Sequence, residues 1–489
     1  MANRDHAHRL LQCLTVAIRP LRVDELAEIL ALDFEEAEGA TPKLNSDWRW
    51  EDRQRAVLST CSSLITLVDD GDSHVIQFSH FSVKEFLTSD RLATSRGDIS
   101  HLHIMAEPAH ATLARACLGT LLQLDGDSDN GQVDGSFPLA RYASRHWVEH
   151  AQFGVVSSLI EDGLRRLFDS AQPYFAAWLQ LHDIDDDWFQ FTSSSEIAGR
   201  GSPLYYASLC GFCDLAAHII VEHPEQVNER SGLNHSPLVA ALHKRHFTVA
   251  ELLHQHGAAV DPLGYLNRTP LHAASVDGLI GVVRWLLGHD ADADLQDDKR
   301  WTPIILAAGY GDVEIVRMLL AHGVRINAAN DEGYTPLRQA SYFGDLETVK
   351  LLLLHGADIS AKDKDYLTPL HRASSGGKVE VARLLLDHIA DVEAENKDGR
   401  TPLHLASFFG EAEVVRLLLV RGANINAEDN NGSTPLHLAS SEGKPETVRL
   451  LLDYGANTDA EDKAGRTPFQ LASGRRKNDI VLILTEHRA

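Results

Sequence analysis

The feature that most constrains the fold of this chain is a Ser/Thr-Pro dipeptide that recurs at a nearly fixed spacing. A period of about 20–50 residues is typical of arrays of small units that bury their apolar faces against one another. Nine dipeptides stand in phase; the first two are 34 residues apart, and the other steps are 33 residues. They begin at Ser202, Ser236, Thr269, Thr302, Thr335, Thr368, Thr401, Thr434 and Thr467.

The unit that begins at Thr401 shows why this period predicts pairs of helices. Thr401 can cap a helix N-terminus, and Pro402 suits the first helical position because no hydrogen bond is lost there. Gly410 can end this helix, and a second helix with a broad apolar face continues to Gly422. A stretch rich in Asn, Asp and Gly then predicts a turn into the next unit.

The repeated unit resembles the ankyrin repeat, and the motif TPLH at 269–272, 368–371, 401–404 and 434–437 carries the resemblance. It covers about residues 198–489, which we expect to form an array of about nine units. The resemblance implies a solenoid that binds proteins through a groove of first helices and turn tips, without catalysis. At one tip, Tyr366 replaces the Gly of neighbouring units, so we expect a strained backbone or another path there.

Two sets of positions are not needed by the repeat itself: the residue before the Thr, and the pair before the Gly that ends the first helix. By resemblance to ankyrin arrays, both sets face the groove. Aromatic residues and Arg at such positions are typical anchors of protein interfaces, although large side chains can instead cover neighbouring units. We predict a protein-binding surface formed by Trp301, Tyr310, Tyr334, Tyr342, Phe343, Leu367, Arg400, Phe408 and Phe409.

Residues 1–100 predict a small winged-helix domain, with helices over 7–18, 23–32 and 51–63 and a hairpin of 64–68 with 75–78. Ser82 and Glu85 predict a capping box at the start of a further helix. The segment FSHFSVKEFL (78–87) resembles the winged helix of the GPI inositol-deacylase type, which follows the NACHT domain in fungal ankyrin-bearing signalling proteins.

Residues 101–197 predict a helical connector with apolar runs at 111–124, 138–150, 155–168 and 174–181, and an acidic hinge at 126–135. The expected fold class is therefore mainly α: an ankyrin solenoid over 198–489, preceded by the winged-helix domain and the connector.

The resemblance implies a protein-interaction module that is the sensing or autoregulatory part of a NACHT-type signalling protein, or a stand-alone ankyrin adaptor. Its implied partners are a protein in the groove and a separate or upstream NACHT ATPase domain. The alternative is a nucleic-acid-associated regulator, because winged helices often place a helix in the major groove. The net charge of −25 disfavours both nucleic acid and anionic membranes as partners.

No residues of the chain predict catalysis, a cofactor or a metal site. Equivalent positions on adjacent units lie about 8–10 Å apart, too far for the four TPLH histidines to share a zinc ion, and we expect these histidines to bond turn backbone. Cys210 and Cys213 are expected to pack, and the acidic cluster at Asp183 and Asp185–Asp187 to form a solvated turn. The Walker A pattern of nucleotide-binding loops does not occur.

The sequence has no long apolar stretch or signal-peptide pattern, and only five cysteines. We therefore expect a cytoplasmic protein, with the nucleus as the other possible compartment.

Overall fold

The computed structural model describes residues 2–34, 41–45, 52–61, 63–70, 73–94, 102–124, 136–182, 184, 201–230 and 236–488. The predicted acidic hinge at 126–135 and the cluster of Asp183 with Asp185–Asp187 lie outside these residues. The chain divides into two compact units, Met1–Ala259 and Val260–Ala489. Its described part contains 28 α-helices, which confirms the predicted mainly α class.

The first part of unit one combines three helices with a small antiparallel sheet. The hairpin strands pair with Ile65 opposite Phe78 and Val68 opposite Val75, and β1 joins the other edge of β5, giving the order β1-β5-β4. Buried Leu26 and Ile29 of the second helix contribute to the core. The elements are α1 (Ala2–Val16), β1 (Leu21–Arg22), α2 (Val23–Ala31), β2 (Leu32–Asp33), β3 (Lys43–Leu44), α3 (Arg53–Cys61), β4 (Ile65–Asp70) and β5 (Ser73–Phe78).

Two short helices, α4 (Phe81–Leu87) and α5 (Asp90–Ala93), follow the hairpin. His80 caps α4, because its Nδ1 accepts a hydrogen bond from the Ser82 N–H at 3.2 Å. The predicted capping box of Ser82 and Glu85 is therefore wrong. The imidazole already satisfies the free N–H of the first turn, so the helix begins one residue before Ser82.

The connector residues that the structure describes form five helices of unit one around two buried tryptophans. Trp147 and Trp178 meet edge to face with ring centroids 5.2 Å apart, and Trp178 Nε1 donates to the Ser144 carbonyl at 3.0 Å. The run predicted as one helix over 155–168 is divided at Ile160. The helices are α6 (Ala106–Leu121), α7 (Ala140–Ala151), α8 (Val156–Leu159), α9 (Glu161–Leu167) and α10 (Tyr174–Leu181).

Two helix pairs that begin with Ser-Pro complete unit one. The Ser202 hydroxyl accepts from the Tyr205 N–H, and the Ser236 hydroxyl accepts from the Val239 N–H, so each serine caps the helix that follows it. The helices are α11 (Pro203–Cys210), α12 (Cys213–Glu222), α13 (Pro237–His243) and α14 (Phe247–Gln255), with a 3₁₀ helix at Pro224–Asn228.

Unit two contains seven helix pairs that follow the Thr-Pro period. Each first helix begins at the Pro, and successive first helices pack against one another, as do successive second helices. The first helices are α15 (Pro270–Val276), α17 (Pro303–Tyr310), α19 (Pro336–Phe343), α21 (Pro369–Ser375), α23 (Pro402–Phe409), α25 (Pro435–Glu442) and α27 (Pro468–Gly474). The second helices are α16 (Ile280–Gly288), α18 (Val313–His322), α20 (Leu346–Leu354), α22 (Val379–Asp387), α24 (Ala412–Val420), α26 (Pro445–Asp453) and α28 (Asn478–Arg488).

From Thr302 onward, the turn tip before each Thr is closed by one Asp or Asn side chain. In the tip at Asp363, Oδ1 accepts from the N–H groups of Asp365 and Leu367 at 2.9 and 3.0 Å. Each tip from unit to unit repeats this pair of bonds, with the closing residues Asp297, Asn330, Asp363, Asn396, Asp429 and Asp462. A carboxylate at this position leaves Oδ2 available for a cation, whereas an Asn offers none.

Tyr366 adopts a φ of 60°, where Gly333 and Gly399 have φ values of 79° and 71°. Its N–H still donates to the Asp363 carbonyl at 2.8 Å, the bond that Gly333 makes to Asn330 in the preceding tip. Of the two predicted outcomes, the tip therefore shows the strained backbone and keeps the common path.

Candidate functional site

The C-terminal ends of the first helices in unit two carry exposed aromatic rings. Tyr310 at the end of α17 is 65% exposed, and Tyr342 and Phe343 at the end of α19 are exposed as well. Phe409 occupies the equivalent position on α23, where it is exposed beside half-buried Phe408. The intervening helix α21 ends in small residues instead.

These rings are held by contacts within and between units. The rings of Tyr342 and Phe343 meet at 82° with centroids 5.1 Å apart, and Phe408 and Phe409 meet in the same way. A Cβ built on Gly309 would lie 3.7 Å from the Phe343 ring, so this ring reaches the preceding unit. The rings of Tyr342, Phe343 and Phe409 are thus oriented by their neighbours while they stay exposed.

The residues before the Thr are less exposed than predicted for a binding surface. Half-buried Trp301 and Tyr334 meet edge to face with centroids 6.2 Å apart. Half-buried Arg400 places its guanidinium 5.7 Å from the Phe408 centroid. Leu367 is only 9% exposed, which differs from its predicted place on the groove. A side chain without a polar end gains by complete burial there, so Leu367 offers little surface to a partner.

Arg338 was missed as a contributor to this surface. Its guanidinium carbon lies 3.4 Å from the Tyr334 ring centroid, and the side chain is only 6% exposed. Nη2 lies 3.5 Å from Asp363 Oδ2, the same oxygen that Arg372 Nη2 binds at 2.7 Å. Burial lowers the pKa of Arg338, and the nearby charge of Arg372 lowers it further. The available signal was the Arg in TPLR, where four other units have His.

A regularity relates the residue before the Thr to the closing residue of the next tip, 29 positions later. Arg268 pairs with Asp297 at 3.1 Å, and Arg400 pairs with Asp429 at 3.2 Å. Trp301 and Leu367 precede tips closed by Asn330 and Asn396. Arg268 and Arg400 thus bind the Asp of the next tip. Tyr334 and Ser433 also precede tips closed by Asp, but there Oδ2 binds an arginine from another position: Arg338 and Arg372 at Asp363, and Arg466 at Asp462.

The TPLH histidines join adjacent units. His371 Nδ1 accepts from the Thr368 N–H at 3.1 Å, so the proton of the neutral ring lies on Nε2, which donates to the Arg400 carbonyl at 3.0 Å. His272, His404 and His437 make the equivalent bonds, as predicted for a structural role. Burial lowers the pKa of His371 to about 4. Among the described residues, no group of three His, Cys, Asp or Glu side chains is arranged to hold a metal ion.

Cys210 and Cys213 show no sign of a reactive pair. Cys210 is buried, and burial raises the pKa of its thiol well above the usual range. Burial, with the nearby charge of Asp214, also raises the pKa of Cys213. Both shifts disfavour the nucleophilic thiolate. Within the part of the chain that the structure describes, no helix is both long and apolar enough to cross a bilayer.

Two family models match the chain. The model described as ankyrin repeats (3 copies) matches at 204–297, 278–363, 339–429 and 413–489. The model described as GPI inositol-deacylase, winged helix domain, matches residues 1–97. This order, a winged helix followed by ankyrin repeats, confirms the predicted resemblance.

Two individual proteins are similar to parts of the chain. The azaphilone pigments biosynthesis cluster protein L of Monascus ruber is 30% identical over 266 residues, which are 51% of this chain and 54% of that protein. The match thus spans about half the length of this relative. The crystal structure of the human ASB11 ankyrin repeat domain is 28% identical, with a TM-score of 0.41, and covers 44% of this chain and 97% of its own.

The ankyrin model matches more than half of the chain, and the Thr-Pro capped helix pairs, closed tips and inter-unit histidines account for that match residue by residue. The chain therefore belongs to the ankyrin repeat family.

Proposed function

We propose that this chain is a non-catalytic protein-interaction module whose partner binds the first-helix face of unit two. The observation that carries the proposal is the set of exposed rings at Tyr310, Tyr342, Phe343 and Phe409. Exposed aromatic clusters on a rigid scaffold are typical of protein interfaces, because each ring buries a large area at small entropic cost. We call these four residues the aromatic face.

The more specific proposal is that the chain senses a ligand or holds a signalling protein inactive. It does so together with a NACHT ATPase domain, which lies upstream or on a separate chain. This role is supported by the winged helix, where α4 leaves Phe81 70% exposed and Phe86 exposed. Leu87 is the buried residue of that helix. These two exposed aromatic side chains offer apolar surface to a second protein.

The aromatic face is tested by site-specific photo-crosslinking in cells that produce the full chain. A benzophenone amino acid at Ser375, between the two aromatic pairs, should capture a discrete protein. Tyr342→Ala with Phe343→Ala should abolish this capture, because the rings supply most of the buried apolar area. The matched control is Leu354→Ala, which removes an exposed apolar side chain at the end of the second helix α20.

Equal capture by all variants would contradict the aromatic face as the binding surface. The ATPase partner is tested separately with Phe81→Ser and Phe86→Ser. These substitutions should abolish co-purification of a protein containing the Walker A pattern, and leave the crosslink at Ser375 unchanged. Retained co-purification would count against the ATPase contact through α4.

A further inference from the structure

In each repeat of unit two, a Gly or an equivalent residue follows the first helix. The residue directly after this Gly is charged in six consecutive repeats. Each of these side chains lies over the corresponding Gly of the preceding unit. A Cβ built on Gly278 would lie 3.2 Å from Asp312 Oδ2, and one on Gly344 would lie 2.6 Å from Lys378 Cδ. The charged side chains therefore form a row along the edge of the aromatic face. The residues are Asp312, Asp345, Lys378, Glu411, Lys444 and Lys477.

The charges of this row are separated by sign. Asp312 and Asp345 lie towards the beginning of unit two, where Asp277 adds a third carboxylate beside Gly278. Lys378, Lys444 and Lys477 lie towards its end, interrupted by Glu411; at the position of Asp277 this end carries Glu442 and Arg475, which pair with each other. We refer to these as the acidic end and the basic end.

Most of these charges are not used within the protein. Over residues 260–488, which the structure describes, no ion pair is formed by Asp277, Asp312, Lys378, Lys444 or Lys477. Burial raises the pKa of Asp312, and the neighbouring charge of Asp345 raises it further. Burial also raises the pKa of Asp277. The acidic end is therefore a place where a partner's cation would relieve repulsion and replace lost hydration.

The aromatic face overlaps both ends in the order of the units: its rings lie on the units of Asp312, Asp345 and Glu411, after the unit of Asp277 and before those of Lys444 and Lys477. Tyr310 and Phe343 belong to the units of Asp312 and Asp345, and Phe409 lies on the unit before that of Lys444. Neighbouring helices pack about 8–10 Å apart, so four unit steps from Asp312 to Lys444 span roughly 40 Å. An extended chain covers about 3.3 Å per residue, so roughly 12 residues bridge this distance.

We propose, building on the function proposed above, that the partner is an extended peptide segment with its charges separated. Its Lys or Arg residues lie over the acidic end, apolar or aromatic residues lie on the aromatic face, and its Asp or Glu residues lie over the basic end. A nucleic acid fits poorly because its uniform negative charge would meet Asp277 and Asp312. A folded partner with a flat, evenly charged surface would match only one of the two ends.

The probe is a fluorescent 15-residue peptide with five Lys, then five Phe, Trp and Leu, then five Glu. Its comparison peptide has the same central residues, with Lys and Glu alternating on both sides. Anisotropy titration of the full chain at low salt should give about ten-fold tighter binding of the separated peptide, as expected for several exposed charge pairs acting together. Raising the salt concentration should remove this preference.

Charge reversal in the protein sharpens the test. Asp277→Arg with Asp312→Lys reverses the acidic end, and Lys444→Glu with Lys477→Glu reverses the basic end. The fold already accepts such residues at equivalent positions. Arg475 occupies the position of Asp277, and Glu411 occupies the position of Lys444 and Lys477. Reversing one end should remove the ten-fold preference. Reversing both ends should restore it, because the peptide can then lie in the opposite direction.

The matched control is Glu446→Lys with Asp453→Lys on the second helix α26, which changes the net charge by the same amount as reversal of the acidic end and should leave binding unchanged. Equal affinity for the two peptides, or no recovery when both ends are reversed, would overturn the inference. So would concentration-dependent association that removes peptide binding, because a second copy would then be the occupant. In each case the aromatic face itself is judged separately, by the crosslink at Ser375.

Discussion

Two stretches of unit two differ at one position, three residues after the Thr. The units that begin at Thr368, Thr401 and Thr434 carry a His whose Nε2 bonds a carbonyl of the following unit. The units that begin at Thr302 and Thr335 carry Ile305 and Arg338 instead. Ile305 offers no acceptor, and the Thr302 hydroxyl has no hydrogen-bond partner among the residues that the structure describes.

The two earlier units also carry Tyr310, Tyr342 and Phe343, three of the four rings of the aromatic face. Arg338 lies directly beneath Tyr334 and 5.9 Å from the Tyr342 centroid, so it supports aromatic side chains where a His would join units. The residue at this position can therefore either bond the following repeat or support the aromatic side chains of the surface. The later units use it for the first purpose, and the unit at Thr335 uses it for the second.

The largest expected effect comes from removing the Asp363 carboxylate, which pairs with Arg338. Asp363→Asn keeps the turn, because Asn330 and Asn396 close their tips in the same way, but it leaves Arg338 and Arg372 without a carboxylate. Removing one partner of a buried pair costs about 4 kcal/mol. We expect this loss in the local opening free energies of α19 and α21, measured by native-state hydrogen exchange.

The control is Asp429→Asn, whose partner Arg400 is more exposed and can be hydrated, so a loss of about 1 kcal/mol is expected. Adding Arg338→Leu to Asp363→Asn should recover part of the larger loss, because the buried charge is then gone. Equal losses for the two Asn variants would show that Arg338 does not need its carboxylate.

The next effect concerns cohesion in the later units. His404→Ala leaves the Thr401 N–H and the Ser433 carbonyl without partners in a buried site, and it removes buried volume. We expect a loss of about 3 kcal/mol in the opening free energy of α23. His404→Gln should cost about half as much, because Gln470 already accepts from the Thr467 N–H at 2.9 Å. If both variants lose the same amount, the acceptor role of the ring is not what matters.

Lowering the pH should also destabilise the units that carry the His more than the units that lack it. The folded state keeps His371 neutral with a pKa of about 4, whereas the unfolded chain protonates it near 6.5. The unfolded state thus binds the proton first, and the stabilisation is complete above pH 6.5 and lost as pH falls towards 4. Between pH 7 and 5, His371 alone contributes a loss of about 2 kcal/mol.

Urea unfolding followed at pH 7, 6 and 5 checks this prediction, with His371→Gln as the variant in which the pH dependence shrinks. His272, His404 and His437 have lowered pKa values as well, so part of the slope should remain. Helices of the unit at Thr302, which has no His at this position, should lose less protection at pH 5 than those of the unit at Thr401. Uniform loss along unit two would argue against the histidines as the cause.

The repeat could be predicted from the sequence because its signals are local. A Thr-Pro pair, a Gly and a turn-forming Asn or Asp act within a few residues, so helix starts and tips follow from short-range rules. The capping box at Ser82 failed because His80, a residue type outside the usual cap set, supplied the acceptor. A prediction from local preference could not foresee that imidazole.

The candidate surface could be predicted only in part. Tyr310, Tyr342, Phe343 and Phe409 are exposed, as a place on the groove requires, and that place was predicted from the resemblance to ankyrin arrays. Leu367 and Arg338 were not placed correctly, because their positions depend on contacts between units. Whether Asp or Asn closes the next tip decides what a neighbouring cation can bind, and this dependence spans 29 residues.

The smallest expected effect tests whether the strained backbone of a turn tip serves binding of the partner. Tyr366 and Arg300 both hold φ near 60° at tips where other units have Gly. Tyr366→Gly and Arg300→Gly should each stabilise their tip by about 0.5 kcal/mol, since relief of strain slightly exceeds the entropy that Gly adds to the unfolded chain. Tyr366 is exposed, with Lys362 and Lys397 5.9 and 5.7 Å from its ring centroid.

The two glycine variants should therefore differ in binding although they agree in stability. Tyr366→Gly removes an exposed ring at the tip that leads into α21, the helix that ends at Ser375, and should weaken capture by the crosslinker at Ser375, whereas Arg300→Gly should leave capture unchanged. Urea unfolding and crosslink yield, measured on the same two proteins, decide the matter. A stability gain that comes with lost capture only at Tyr366 means that the strained tip is maintained by what it binds. A gain with no change in capture means that the strain serves no partner on this face.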